Sequence, residues 1–231
     1  MDLLLLGYGK MNRLVASLAA ERGHRVAAAV DAGDAFPSGW SPGLVAIDFS
    51  VPGAVVAHVE HCMAAGIPMV IGTTGWLDQF DTVRALVEAA PVGAVYGANF
   101  SVGVNAFYRL VSLAAAILPA EFDPFVWEAH HRHKLDAPSG TARRLAELLR
   151  AGGREPGEVA STRAGALPGT HTVGFDAADE TITLTHTARS RRGFASGALL
   201  AAEWILGRRG LHAFNEVLTL PPGETPQETQ P

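Results

Sequence analysis

The chain has 231 residues, 48% of them hydrophobic, enough for a large core and between the sizes of one big domain and two modest ones. Its 18 Lys and Arg against 23 Asp and Glu give a net charge of −5, which argues against the broad positive field that nucleic acids or membrane surfaces require. A single cysteine, Cys62, excludes an intrachain disulfide framework, and no apolar stretch approaches the roughly 18 residues of a membrane span.

The start MDLLLLGYGK carries no charged leader before its apolar run, so a cytoplasmic protein is expected, neither secreted nor membrane-embedded. Leu3-Leu4-Leu5-Leu6 is too short for a helix and runs into Gly7-Tyr8-Gly9, the pattern of a buried parallel strand ending in a tight turn. A helix follows with Leu14, Leu18 and Ala19 at helical spacing. Gly23 closes it, and residues 24–30 supply a second strand that ends at Asp31. The alternation repeats with a strand over 45–49, a helix over about 53–65, a strand over 69–72, a helix over about 76–90 and a strand over 93–96. Strands alternating with helices predict a parallel sheet covered on both faces. Cys62 falls in the first of these later helices, beside Val59 and Met63, and reads as a buried, inert thiol.

After Asn99-Phe100-Ser101 the texture changes, which marks a domain boundary. A long apolar helix is expected over about 103–118, stopping at Pro119, and a strand over 125–129 then delivers His130-His131-Arg132-His133-Lys134. Ser139 is the predicted N-cap of the next helix, with Gly140 and Thr141 in its first turn. Ala142, Leu145, Leu148 and Leu149 form its buried stripe, and Gly152-Gly153 its end. Three strands are expected over about 159–163, 170–175 and 181–187. Ile182 and Leu184 alternate with threonines in the last, the mark of an antiparallel sheet with one solvated or partner-facing side. A final helix over about 195–206 precedes a short segment ending in Val217-Leu218-Thr219-Leu220, and PPGETPQETQP reads as a disordered tail.

The fold expected is α/β: an N-terminal Rossmann-like parallel-sheet nucleotide domain plus an α+β substrate and tetramerisation domain with a mainly antiparallel sheet. The boundaries expected are a dinucleotide-binding domain over 1–101, a substrate-binding and oligomerisation domain over 102–192, a C-terminal segment over 193–220 and a tail over 221–231.

Gly7-x-Gly9 after the first strand, with Asp31 at the tip of the second, suits a dinucleotide. Glycines admit the pyrophosphate to the backbone, and the acid accepts from ribose hydroxyls. Asn12 stands where the fingerprint's third glycine would be, so helix-to-strand packing must accommodate a larger side chain. Gly72-Thr73-Thr74-Gly75 and Gly97-Ala98-Asn99-Phe100 each follow a predicted parallel strand, where open α/β sheets bind ligands. Either could be an ordinary turn, since glycine, threonine and asparagine favour turns, but their shared location beside the glycine turn favours a ligand.

The basic segment is local on an acidic chain. Imidazoles titrate near neutrality, Arg132 and Lys134 stay charged, and the amides at a helix start attract carboxylates or phosphates. A solvated basic loop is the bland alternative; Pro138-Ser139-Gly140-Thr141 at a helix start favours an anion-binding catalytic segment. No metal is expected, because three imidazoles on one extended stretch alternate faces and no cysteine or second histidine pair completes a ligand set.

The run E-A-H-H-R-H-K-L-D-A-P-S-G-T-A, from Glu128 to Ala142, resembles the signature of the 4-hydroxy-tetrahydrodipicolinate reductase (dihydrodipicolinate reductase) family. The glycine turn with Lys10-Met11, Ile47-Asp48-Phe49-Ser50, Val70 through Gly75, Ala98 through Asn105, and Ser190-Arg191 through Phe194 with Gly197-Ala198 agree with it. The resemblance extends nearly to Leu220. Departures are Asn12 for glycine, Gly97 where the family often has alanine or proline, and a short loop around 33–41.

The resemblance implies reduction of a cyclic, dicarboxylated imine to tetrahydrodipicolinate in lysine and diaminopimelate biosynthesis, with NADH or NADPH as cofactor. His130 and Lys134 match the catalytic pair, with the proton donor open between them, and His131, Gly140 and Thr141 match substrate-carboxylate positions. The cofactor half carries over to Gly7, Tyr8, Gly9, Lys10, Met11, Asn12, Asp31, Gly72, Thr73, Thr74, Gly97, Ala98, Asn99 and Phe100. Asp31 favours a free ribose 2′-hydroxyl, hence NADH, although Lys10 or Arg13 could accommodate NADPH. The family also implies a homotetramer built on the second domain's sheet, and a C-terminal segment that returns to the nucleotide domain. A noncatalytic NAD-binding sensor is the alternative, which would need the glycine turn but not His130 and Lys134; a metal hydrolase would need the histidines but not the glycine turn.

Overall fold

The computed structural model describes residues 1–37 and 43–218. The expected tail, the end of the terminal segment from Thr219 onward, and residues 38–42 of the short loop lie outside the described residues. The four-leucine run becomes β1 (Asp2–Leu6), and Leu3 to Leu6 are fully buried because the strand sits inside a parallel sheet. The chain turns at Gly7 into α1 (Lys10–Glu21), leaves the helix through Gly23 at φ +72°, and enters β2 (Arg25–Val30). β3 (Leu44–Asp48), α2 (Val55–Ala64), β4 (Met69–Ile71), α3 (Phe80–Glu88) and β5 (Gly93–Tyr96) continue the alternation. The helices expected from residues 53 and 76 begin instead as 3₁₀ turns, at Pro52–Ala54 and Leu77–Gln79, before α2 and α3 proper. Cys62 on α2 is buried, and burial pushes its thiol up to about 12, so the side chain serves packing.

The middle of the chain forms α4 (Val102–Ile117), β6 (Asp123–His130), α5 (Gly140–Ala151), β7 (Ala160–Arg163), β8 (Thr170–Asp176) and β9 (Thr181–Thr187). α6 (Arg192–Ile205), β10 (Gly210–Ala213) and α7 (Phe214–Val217) complete the described chain. Two compact units result. One comprises Met1–Ser101 together with the chain from Phe194 onward, and the other Val102–Gly193.

In the first unit six parallel strands run in the order β10-β5-β4-β3-β1-β2. The winding reverses between β1 and β3, which is the switch point where such sheets open a crevice at their carboxyl ends. β2 lies at an edge, and its side chains alternate between half-buried and exposed instead of reading as a continuous apolar run. β10 differs from the expectation of a plain terminal segment, for it pairs with β5 from Gly210 against Gly93 to Ala213 against Tyr96. Its sequence, GLHA, has no apolar run to announce it. Gly93 permits the approach, since a Cβ there would lie 2.8 Å from the Gly210 carbonyl oxygen.

In the second unit the sheet order is β7-β6-β8-β9. β8 pairs antiparallel with both β6 and β9, as the alternation predicts, but β7 runs parallel to β6 because α5 carries the chain back across the sheet. Phe107, Val111 and Ala115 of α4 and Ala142, Leu145 and Leu149 of α5 pack with Val126, Val173 and Phe175 on one face. Phe125 and Trp127 stand on the other, partly exposed. Among the described residues, no helix is long and apolar enough to cross a membrane.

Candidate active site

At the switch point the turn after β1 presses against the turn after β3. Gly7 has φ +78°, and a Cβ there would sit 2.7 Å from Ser50 Cα, so both conformation and space demand glycine. A Cβ on Gly9 would meet nothing within 4 Å, which leaves open ground in front of α1. That helix has no side-chain cap and no acidic residue in its first turn, so its leading amides present an uncontested positive end to an anion. Asn12 is fully buried, and its Nδ2 donates to the carbonyls of Leu6 (2.9 Å), Gly7 (2.7 Å) and Ile47 (3.2 Å). Where a third glycine would only permit close packing, this amide ties the ends of β1 and β3 together.

The other strand ends are tied in the same way. The Thr73 hydroxyl donates to the buried Asp48 carboxylate (2.7 Å) and accepts from Ser50 N–H (2.8 Å), while His58 Nδ1 meets the other Asp48 oxygen at 2.8 Å. The Phe49 ring lies across Gly72, where a Cβ would approach it to 2.2 Å. Asn99 Oδ1 accepts from Ser101 N–H at 2.8 Å. The Phe100 ring is core, packed 4.7 Å from the Phe214 ring, so this position can meet a ligand only through its backbone. Gly97 lies against the Phe100 ring and the Phe214 Cβ. Lys10, Thr74 and Ala98 are exposed, Tyr8 and Met11 are half-buried, and the Arg13 guanidinium lies 5.6 Å from the Tyr8 ring centroid. Asp31 is exposed at the tip of β2; its Oδ1 accepts from Ala32 N–H (3.0 Å), and the Asp34 carboxylate accepts from Asp31 N–H (2.8 Å). An uncapped helix start behind a glycine turn, with acids on the next strand tip, is a donor set that fits a dinucleotide.

The second unit brings the basic segment to the end of β6. Residues two apart on a strand share a face, so Val126, Glu128 and His130 all point to the helix side. Register then sets their neighbours: Glu128 lies opposite Ser161 on β7 and His171 on β8, and His130 lies opposite Arg163. Glu128 is fully buried and saturated. One carboxylate oxygen takes a short hydrogen bond with His130 Nδ1; the other accepts from Arg163 Nη2 (2.6 Å) and Ser139 N–H (3.3 Å). Arg163 Nη2 also donates to the Asp136 carbonyl (2.6 Å). Lys134 Nζ donates to the Asp136 carboxylate (2.8 Å).

Ser139 caps α5 as predicted. Its hydroxyl accepts from Ala142 N–H (3.2 Å) and pairs with His171 Nε2 (3.0 Å), leaving the first-turn amides of Gly140 and Thr141 to point out of the helix start. The Thr141 side chain pairs with the Tyr108 hydroxyl. His131, Arg132 and His133 are exposed in the turn after β6, with the His131 and His133 rings 6.4 Å apart. The segment therefore splits. His130 is buried in a hydrogen-bonded network, while the three residues after it are surface groups.

Electrostatics sharpen that division. Burial pushes the Glu128 carboxyl up, but hydrogen bonds from Arg163, Ser161 and His130 outweigh it and hold it below the ordinary value. Burial lowers His130; Glu128 pulls it back part of the way, and Lys134 and Arg163 push it down again. Burial, reinforced by His130, takes His171 down to about 4, so its ring is neutral at physiological pH. Glu128, His130 and His171 place donor atoms within 4.8 Å of one another, a grouping that the spacing of the three sequential histidines did not reveal. The Arg163 guanidinium already sits on that carboxylate and opposes a second cation, so the donor set reads as a hydrogen-bonded network.

Arg163 and His171 escaped the sequence motifs; period-two patterning carried a signal for His171, whereas the short polar strand ASTR carried none for Arg163. Val126-x-Glu128-x-His130 and His171-x-Val173-x-Phe175 each place ionisable residues on an otherwise apolar strand face.

A family model for the dihydrodipicolinate reductase N-terminus matches residues 41–100, and one for its C-terminus matches residues 103–218. A 4-hydroxy-tetrahydrodipicolinate reductase of Christiangramia forsetii is 35% identical over 95% of this chain and 98% of its own. Another, from Thiobacillus denitrificans, is 41% identical over 76% of this chain and 73% of its own. A solved structure described as dipicolinate-bound dihydrodipicolinate reductase from Paenisporosarcina sp. TG-14 shares the fold, with a TM-score of 0.79 at 23% identity over 94% of this chain and 99% of that one. An amine dehydrogenase from Mycobacterium smegmatis shares it more distantly, with a TM-score of 0.61 at 11% identity over 93% of this chain and 95% of that one, so fold alone does not select the substrate. With family models matching both halves and a near-full-length relative above 30% identity, the chain is an oxidoreductase that belongs to the dihydrodipicolinate reductase family.

Proposed function

We propose that this protein reduces 4-hydroxy-tetrahydrodipicolinate to tetrahydrodipicolinate and water in lysine and diaminopimelate biosynthesis. The observation that carries the reading is the cluster at the end of β6, where His130 and Lys134 stand beside the Ser139-capped start of α5. Gly140 and Thr141 amides hold one substrate carboxylate and His131 helps to hold it, as a ring dicarboxylate of the kind named for the Paenisporosarcina structure would require. The residues from Gly7 to Asn12, Asp31, Gly72 to Thr74 and Gly97 to Phe100, at the carboxyl ends of β1, β2, β4 and β5, would hold a reduced nicotinamide dinucleotide, which would supply the hydride. The chain's own task is then to deliver one proton to the ring. His130 is pushed toward its neutral form, so the Lys134 ammonium is the better donor and His130 the group that relays or orients. The domain roles follow: the first unit, with the chain from Phe194 onward, binds the dinucleotide, and the second binds substrate. Mixing the protein with NADH and freshly generated substrate tests the reading by nicotinamide absorbance. Intact NADH binding without oxidation would leave a noncatalytic sensor.

NADH is the proposed cofactor. Asp31 and Asp34 put two carboxylates on the tip of β2, where the 2′-phosphate of NADPH would meet them. NADH is expected to give the higher kcat/KM, and Asp31→Ala to narrow the ratio about 10-fold, within the ~1–4 kcal/mol that such a close charge pair contributes. A clear NADPH preference in the unaltered protein sinks this assignment.

The outer face of the second unit's sheet supports a homotetramer. Phe125, whose ring lies over Gly174, and Trp127 stand there partly exposed, beside the threonine pairs Thr170–Thr187 (3.1 Å) and Thr172–Thr185 (2.9 Å). Sedimentation velocity is expected to give a tetramer, and Trp127→Glu smaller species; a monomer for the unaltered protein removes the proposal.

A further inference from the structure

The two groups assigned to proton transfer are joined through a guanidinium that the family signature does not contain. Glu128 accepts only, so the proton of its bond to His130 sits on Nδ1, and Nε2 is the nitrogen that gains or loses a proton. Room for Nε2 comes from Gly169, at φ +119°, where a Cβ would stand 3.0 Å away. On its other oxygen Glu128 receives Arg163 Nη2, and that same nitrogen donates to the Asp136 carbonyl, two residues from Lys134. The Asp136 carboxylate in turn holds Lys134 Nζ. One half-buried cation thus fixes both the dyad of His130 and the loop of Lys134.

We propose that Glu128 and Arg163 are positioning residues for the reduction, Glu128 holding His130 in one tautomer and Arg163 locking that dyad to the Lys134 loop. The proposal rests on the reading that His130 and Lys134 serve proton transfer. It makes a pH prediction as well as a rate prediction. The charged and titratable groups facing His130 are Glu128 on its own strand, Lys134 in the following turn, Arg163 on β7 and His171 on β8. His171 stays neutral near pH 7, so it contributes no limb there. Of the remainder only Glu128 favours the imidazolium, and neutralising it moves the His130 titration to lower pH.

The experiment compares Glu128→Gln, Glu128→Asp and Arg163→Lys in steady-state kinetics across pH, with NADH affinity from fluorescence and folding from circular dichroism. Glu128→Gln is isosteric, but its amide can present an N–H to His130 Nδ1 and select the other tautomer. Its kcat is expected to fall by about 10- to 100-fold, part of the 10²–10⁴-fold that a positioned acid or base contributes, with KM and NADH affinity nearly unchanged. The limb assigned to His130 should move to lower pH and return in Glu128→Asp, which restores the charge. Arg163→Lys keeps a cation near Glu128, but its nitrogen ends one bond short of the Nη2 that bridges Glu128 to the Asp136 carbonyl, so it should lower kcat while leaving the His130 limb in place. Should Glu128→Gln fail to fold, Glu128→Asp and Arg163→Lys still decide: native kcat in both overturns the proposal. A folded Glu128→Gln with native kcat and an unmoved limb overturns it too, as does a parallel rise in KM that accounts for the whole loss. His130→Ala separates the two levels. If it turns over slowly while Glu128→Gln is native, only the positioning role falls; if it turns over at the native rate, the catalytic reading falls and this proposal with it.

Discussion

Gly197→Ala is expected to destabilise the protein by about 3–5 kcal/mol and lower its Tm by roughly 10 °C or more, against the sign that helix propensity gives. In an exposed helix interior the same change would add about 1 kcal/mol, because alanine loses less backbone entropy than glycine. Here the added Cβ would lie 1.7 Å from the Phe100 carbonyl oxygen and 3.1 Å from the Phe214 ring. Neither can yield cheaply. Phe100 is backbone at the end of β5's turn with its ring in the core, and α6 is anchored along its length by buried Ala195, Ala198, Leu199, Ala201, Ala202 and Ile205. Relief requires lifting α6 from the sheet by more than an ångström, which opens voids under all of these side chains. Thermal unfolding followed by far-UV circular dichroism measures the effect. A variant as stable as the parent, or more so, would show that the helix sits less tightly than this.

Gly197 also illustrates which parts of the molecule the sequence discloses. The Gly197-Ala198 pair was visible as a family match, but the need for glycine comes from a contact with a residue almost a hundred positions earlier, which no local pattern encodes. Where the determinant is local, the reading succeeds: the four leucines of β1, the Gly7 turn and the Ser139 cap lie where their chemistry predicts. β10 is short and lacks apolar alternation, so only its pairing with β5 reveals it as a strand. The parallel β6–β7 pair is hidden for a similar reason, since alternation reports a half-buried strand and not the direction of its neighbour. At the site, the departure of Asn12 from the glycine fingerprint reads as a packing problem, whereas its two amide hydrogens are shared among the Leu6, Gly7 and Ile47 carbonyls where β1 and β3 end. Phe100, a cofactor position by resemblance, has its ring in the core and is left only its backbone for a ligand. Glu128 stood inside the recognised signature without a role until its partners on β7 and at the start of α5 were placed.

Lys134→Ala is expected to lower kcat by about 10²–10³-fold, the range of a general acid, while NADH affinity and folding stay close to native. The stability part follows from exposure. Lys134 makes one ion pair with Asp136 in a partly exposed turn, and such pairs contribute about 0–1 kcal/mol. The affinity part follows from sequence location, since every residue assigned to the dinucleotide belongs to the first unit and Lys134 to the second. Loss of rate alone does not separate a proton donor from a cation that merely holds a carboxylate, and Lys134→Arg makes the distinction. Arginine keeps the charge and its hydrogen-bonding capacity but does not give up a proton in proteins. If Lys134 donates the proton, Lys134→Arg stays as slow as Lys134→Ala under saturating substrate, and its KM remains low. Recovery of kcat in Lys134→Arg would make Lys134 an electrostatic anchor and leave His130 as the donor. In that case the Glu128 dyad, which presents Nε2 of His130, becomes the element that sets the pH range of the reaction.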